Sequence, residues 1–246
     1  MNPLAHPSLA LADPDRKRSY NRLLFEEVAP RYDRITRLLS LGRDAAWKRW
    51  MISKLPQDRV HDVLDLACGT GDITFALRER FPQAEVTGVD LSPEMLELAR
   101  KRSTGQVTFM EGDMSELLVE DQSIDLVTGG YALRNAPDLA RTLGEIYRVL
   151  RPGGYVAILD FSAPDHSLLR LIQSKVLWVW GGFWGLVMHG NPAVYAYIAR
   201  SLDRFPSRSD LHDQLEENGL QPVESRCFMF GMIQVILCQT ADLPHT

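Results

Sequence analysis

Asp65, Gly69, Gly71 and Asp90 are the residues whose types and spacing suggest chemistry. They stand in the stretch Val63-Leu64-Asp65-Leu66-Ala67-Cys68-Gly69-Thr70-Gly71-Asp72-Ile73-Thr74 and at the end of Val86-Thr87-Gly88-Val89-Asp90. A carboxylate such as Asp65 attracts a cationic amino group, and one such as Asp90 accepts hydrogen bonds from both hydroxyls of a ribose. Gly69 and Gly71 let the backbone come close to a ligand, and the helix start behind them offers free N–H groups. A pyrophosphate does not suit this set. The third position of a G-x-G-x-x-G pattern is Thr74, and Asp72 brings negative charge to the helix start, which disfavours a nicotinamide dehydrogenase. S-adenosylmethionine carries an amino group and a ribose and lacks a pyrophosphate, so it is the expected cofactor.

Those residues need a strand, a tight turn and a helix to hold them, and the pattern supplies these. The apolar run into Asp65 reads as a strand, Gly69-Thr70-Gly71 as the turn, and Ile73, Ala76 and Leu77 as a helix face. A second strand, Glu85 to Asp90, leads to a helix opened by Ser92 as N-cap and Pro93 at its first position. A third, Val107 to Met110, ends near Asp113, placed to bind an adenine amino group, although a plain loop acid fits there as well. The fourth, Ile124 to Gly130, is followed by Tyr131, Arg134 and Asn135. Its glycines leave room for a ligand, while Arg134 and Asn135 bring a cation and an amide to the crevice; a surface ion pair remains open for Arg134. Ala67 and Thr70 in the first turn, Leu91 and Met95 after the second strand, Met114 after the third, and Gly130 and Tyr131 complete the expected cofactor set. A helix from Pro137 to Leu150, a turn Arg151-Pro152-Gly153-Gly154 and a strand Tyr155 to Phe161 follow. A helix Ser207 to Asn218 and a hairpin of Val223 to Met229 with Ile233 to Gln239 close the chain. The expected fold is α/β, a doubly wound seven-stranded sheet of Rossmann-like type. Residues 19–55 read as helices that lie over the crevice mouth, and residues 1–18 as a loose arm.

The pattern Asp-Leu-Ala-Cys-Gly-Thr-Gly-Asp with an acid at the next strand end resembles the class I methyltransferases. A narrower resemblance rests on Tyr32-Asp33, Ser40-x-Gly42, Trp47-Lys48-Arg49, Leu133-Arg134-Asn135, Tyr147-Arg148-Val149-Leu150-x-Pro152-Gly153-Gly154 and Phe161-Ser162, continued by Tyr195-x-Tyr197-Ile198-x-x-Ser201 and Phe205-Pro206. Together these resemble the ubiquinone/menaquinone biosynthesis C-methyltransferases, over nearly everything after about Phe25. The resemblance implies an antiparallel last strand and transfer of a methyl group to a ring carbon of a demethylated quinol. It implies roles for Arg134, Asn135 and Tyr32 in activating that ring through water, and substrate contacts for Tyr195 and Tyr197. An Arg stays charged, so Arg134 suits stabilising a phenolate better than acting as base, with water as the proton carrier and Asp160 a second candidate for taking the phenolic proton. The chain departs from the family at Ile35-Thr36 for Met-Asn, Asp44-Ala45 for His-Arg, and Asp160 for Glu. Those departures keep a small-molecule O- or N-methyltransferase open as an alternative. A non-catalytic cofactor-binding subunit of a quinone-synthesis complex is the other.

The bulk numbers fit one soluble domain. Net charge is -5 and charged residues make up 24% of 246, which argues against a nucleic-acid partner. Cys68, Cys227 and Cys238 have neither disulfide nor zinc spacing, no histidine cluster exists, and no metal is expected; a cytoplasmic setting fits. One stretch stands out. Val176 to Met188 is apolar without charge, carries Trp180 and Trp184, and is interrupted by Gly181-Gly182. Within an insertion over 165–205, it suits an isoprenoid tail and contact with the inner membrane surface; a buried core or homodimer helix remains equally open.

Overall fold

The computed structural model of the chain describes residues 13–57 and 60–241, so most of the expected N-terminal arm lies outside it. Helix α1 (Pro14–Val28) begins ahead of the Ser19 boundary expected from apolar periodicity. Its start signal is Asp13-Pro14: the Asp13 side chain accepts from the Arg16 amide at 2.9 Å. A 3₁₀ turn (Ala29–Arg31), α2 (Tyr32–Leu39) and α3 (Asp44–Ser53) complete the helical cap.

Seven strands form one sheet: β1 (Asp62–Leu66), β2 (Glu85–Asp90), β3 (Thr108–Glu111), β4 (Ile124–Gly130), β5 (Leu150–Phe161), β6 (Leu220–Phe228) and β7 (Ile233–Thr240), in the order β3-β2-β1-β4-β5-β7-β6. β1 to β5 pair in parallel, and β7 runs against β5 and β6 between which it lies, as expected. The expected turn at Arg151 to Gly154 is instead an irregularity inside β5, whose register to β4 slips between Ile124 and Leu126 while Gly153 takes φ +75°. Alternate residues face alternate layers. Val156 and Ile158 pack with α6 (Leu139–Val149) and α9 (Arg208–Glu217), while Ala157 and Leu159 pack with α3 and α4 (Asp72–Arg80). Strand order reverses between β1 and β4, which opens a crevice beyond their carboxyl ends.

Helix α5 (Pro93–Arg102) covers β2 and β3, and a helical pair, α7 (Ser167–His189) and α8 (Ala193–Asp203), stands beside the crevice. The expected break at Gly181-Gly182 does not occur, because α7 runs straight through it. A Cβ at Gly181 would stand 2.5 Å from the Tyr195 carbonyl oxygen, and one at Gly185 2.7 Å from that of Asn191. The glycines therefore bring two helices together. The opposite side of α7 is bare: Trp178 is 55% and Phe183 52% exposed. No helix among the described residues is long and apolar enough to cross a membrane.

Candidate active site

The turn after β1 reverses the chain through three left-handed residues, Ala67, Gly69 and Gly71. At Gly69 a Cβ would project into the crevice, 3.8 Å from the Tyr32 ring. Gly71 serves differently from expectation. A Cβ there would meet Phe75 at 2.8 Å and its amide bonds the Cys68 carbonyl, so packing rather than ligand approach requires a glycine.

Asp65 is wholly buried and accepts from the hydroxyls of Thr74 at 2.6 Å and Thr128 at 2.7 Å. Thr74, the residue that spoils a dinucleotide pattern, is thus the clamp of that acid. Burial pushes the Asp65 carboxyl up to about 6 against the pull of the two hydroxyls. Asp90 accepts from the amides of Gly69 and Ser92, each at 2.8 Å, and burial pushes it to about 6 as well. A carboxylate has about four lone-pair sites, so two remain on Asp90 for a ribose diol. Asp113 stands at the end of β3 as expected, but its Oδ2 is taken by Arg18 of α1 and its Oδ1 by the Ser115 amide. The Thr70 hydroxyl is likewise taken, by Asp33 at 2.7 Å.

Two small cavities share Tyr32, Ala67, Gly69, Gly130 and Tyr131. One continues past Asp90, Leu91, Met95, Asp113 and Met114; the other past Lys48, Asp65, Thr70 and Asp72. That division matches the adenosine and amino-acid halves of S-adenosylmethionine. Lys48 suits the carboxylate: its Nζ lies 2.7 Å from Asp44 and 3.2 Å from Asp72. Burial works against the Lys48 ammonium, and the two acids outweigh it and hold its pKa above the ordinary range. Asp44, which departs from the family pattern, also accepts from the Tyr131 hydroxyl at 2.6 Å and so fixes that ring at the junction.

Beyond Tyr32 and Tyr131 opens a third, far larger cavity of about 610 Å³, walled by α1, α2, α7 and α8. Arg134, Asn135, Tyr195, Tyr197 and Trp180 line it. Trp184 does not: it packs edge-on against Trp180 and Phe183 beside α2 and α8. Arg134 is 5% exposed; its amide donates to Asp160 at 3.0 Å, its Nη1 donates to Ser201, and the guanidinium lies 5.2 Å from the Phe161 ring centre. Its buried Nε has no hydrogen-bond partner and stands 3.8 Å from Asp160. Burial raises the Asp160 carboxyl while the Arg134 charge lowers it, and both Asp160 oxygens accept backbone amides. Asp160 therefore positions Arg134.

Asn135 bonds the Tyr131 carbonyl through Nδ2, and its own carbonyl accepts from Asn21 at 2.6 Å; Asn21 in turn accepts from the Tyr197 hydroxyl at 2.7 Å. Asn21 was not among the residues expected at the site, nor was Lys17, which burial and the Arg134 charge lower to about 8. A buried Asn in an otherwise amphipathic helix is the signal that identifies Asn21; Lys17 carries none, lying where an arm was expected.

A model of the ubiE/COQ5 methyltransferase family matches residues 15–239. A demethylmenaquinone methyltransferase of Thermus thermophilus is 36% identical over 215 residues, covering 86% of this chain and 97% of that protein. A ubiquinone/menaquinone biosynthesis C-methyltransferase of Desulfotalea psychrophila is 35% identical over 213 residues, covering 86% and 87%. Among solved structures, a SAM-dependent methyltransferase of Thermotoga maritima superposes with a TM-score of 0.63 at 22% identity, over 88% of this chain and 98% of its own. That likeness concerns the fold alone.

Proposed function

The chain belongs to the ubiE/COQ5 methyltransferase family, and from that premise we propose that it moves the methyl group of S-adenosylmethionine to a ring carbon of a demethylated, isoprenoid-tailed quinol such as demethylmenaquinol. One observation carries the reading: an apolar cavity of about 610 Å³ meets the cofactor crevice at Tyr32 and Tyr131 and holds, in its wall, a buried guanidinium donor without a partner.

The cofactor supplies an activated methyl group with a neutral thioether as leaving group. Asp90 would hold the ribose diol, Lys48 the amino-acid carboxylate, and Asp65 the ammonium. Tyr32 and Tyr131 separate the two ligands and align them. The ring carbon becomes nucleophilic when the adjacent hydroxyl loses its proton. The Arg134 guanidinium in the cavity wall would then stabilise the phenolate, an interaction worth far more in a buried setting than in water. Asn135, tied to Tyr131 and Asn21, keeps the segment carrying Arg134 in place.

The tail leaves the cavity past Trp180, Val176 and Val179, and the last two are also exposed on the bare side of α7. We assign that side to the cytoplasmic membrane surface from which a tailed quinol is drawn, with a second copy of the chain as the alternative cover. Incubation with labelled S-adenosylmethionine and a panel of demethylated quinols, with the labelled position located by NMR, tests the activity. A methyl ether or amine in place of a ring methyl overturns it. Flotation with anionic vesicles, against sedimentation of the free protein, separates membrane from dimer.

A further inference from the structure

Glu27, His189 and Tyr195 form a hydrogen-bonded series from the molecular surface to the cavity wall, and the methyl-transfer geometry above leaves it without a task. His189 ends α7 with its ring 1% exposed. Its Nε2 lies 2.8 Å from the Tyr195 hydroxyl and its Nδ1 3.3 Å from Glu27 Oε1. The Glu27 side chain is 53% exposed, whereas Tyr195 is 6% exposed and lines the cavity. Charge chemistry orients the series. A carboxylate only accepts, so Nδ1 carries the hydrogen, Nε2 keeps its lone pair, and the Tyr195 hydroxyl donates to it.

We propose that this series is the proton exit of the reaction: Tyr195 takes the proton of the quinol hydroxyl as His189 takes that of Tyr195, and Glu27 steadies the imidazolium until solvent removes its proton. The proposal rests on the quinol reading above. The quinol O–H bond breaks and one forms on Tyr195; the former Tyr195 O–H breaks and an N–H forms at Nε2. The electron pair left on the quinol oxygen reaches the ring carbon, which bonds the methyl carbon while the C–S pair returns to sulfur. The ring carbon then loses its hydrogen as a proton and the oxygen regains one, so one proton leaves per turnover. Burial holds the Tyr195 phenol well above its ordinary range, so the two transfers occur together and no free tyrosinate forms. The other groups facing this series are Arg31, which donates to the Met188 carbonyl at 2.8 Å, and the Tyr32 phenol. In this scheme Tyr195 touches the substrate, and His189 and Glu27 are positioning residues.

The test is single-turnover methylation of a tailed quinol across mildly acidic to mildly alkaline pH, with cofactor saturating at each pH, for the wild type, His189→Gln, Glu27→Gln and Tyr195→Phe. Gln at 189 can still bond Tyr195 but cannot take its proton. We expect His189→Gln to lower the rate about 10²-fold, to leave KM for the quinol nearly unchanged, and to abolish the fall in rate on acidification. Glu27→Gln should lower the rate about tenfold and move that fall to lower pH. A folded His189→Gln enzyme with the wild-type rate and pH profile overturns the proposal. Nitrogen-15 NMR of the His189 ring in the unmodified protein decides independently of any variant: a hydrogen on Nδ1 supports the relay, and one on Nε2 sinks it. Should the wild type methylate no quinol, the substrate reading fails and the relay falls with it, whereas a quinol methylated equally well by folded His189→Gln overturns the relay alone.

Discussion

The cofactor crevice and the large cavity meet at Phe25, Tyr32, Tyr131 and Asn135, yet they are built on opposite terms. On the crevice side the acids already have partners: two hydroxyls for Asp65, two amides for Asp90, and Lys48 between Asp44 and Asp72. On the cavity side, Arg134 lines the wall with a buried Nε that lacks a hydrogen-bond partner; the Tyr20 hydroxyl and Trp184 Nε1, also unpartnered, lie in the apolar helical cluster beside the cavity and do not line it. A preassembled polar site loses little to reorganisation on binding. A buried guanidinium whose Nε lacks a hydrogen-bond partner, with Asp160 3.8 Å away, can strengthen its interactions when charge appears during reaction. On the proposed roles, holding the cofactor and driving the chemistry fall to different regions.

If that division is right, Arg134→Ala should have the largest effect, lowering kcat by about 10²–10³-fold with cofactor affinity nearly intact. An equal loss of cofactor binding, measured by calorimetry, would erase the division. Asp90→Ala should do the reverse, weakening cofactor binding by about 1–3 kcal/mol, since charge-assisted bonds to the diol disappear; unchanged affinity would remove Asp90 from the site. Acid should weaken cofactor binding in the crevice. Asp90 is pushed up to about 6, and its ionised form is the one that accepts from both hydroxyls, so affinity holds above that pH and falls below it. One pH unit lower the loss should be about tenfold, read as the dissociation constant against pH. The smallest effect belongs to the cavity wall. Trp180→Gln should raise KM several-fold for a long-tailed quinol and hardly at all for a tail-less analogue, each buried methylene contributing up to about 0.8 kcal/mol. Equal harm to both would make Trp180 a folding residue.

The strands, the helices between them and the crevice were legible because strand-turn-helix alternation is written in local periodicity and in punctuation by glycine and proline, whereas the antiparallel last strand came from the family resemblance and the strand order from the structure. Asp65, Gly69 and Asp90 could be found for the same reason, since each sits at a strand end. What stayed hidden are side-chain partnerships between elements far apart in the chain: Asn21 with Asn135, Arg18 with Asp113, and His189 with Glu27. No local pattern encodes which helix lies over which loop. Thr74 and Gly181 show the other limit. The sequence reading rates Thr74 as a missing glycine and Gly181-Gly182 as a break, whereas one clamps an acid and the other seats a helix.

Arg18 ties α1 across the adenine end of the crevice, while the large cavity opens along α7. If the cofactor passes on the Arg18 side and the quinol on the α7 side, each ligand can come and go while the other stays in place. Such an enzyme follows random-order kinetics, with S-adenosylhomocysteine competing against S-adenosylmethionine but not against the quinol. Parting Arg18 from Asp113 is then a step of cofactor exchange alone. Where that exchange is slow, turnover would be set at the Arg18 end of the crevice and not in the quinol cavity, and loosening that one arginine would speed an enzyme whose chemistry it never touches.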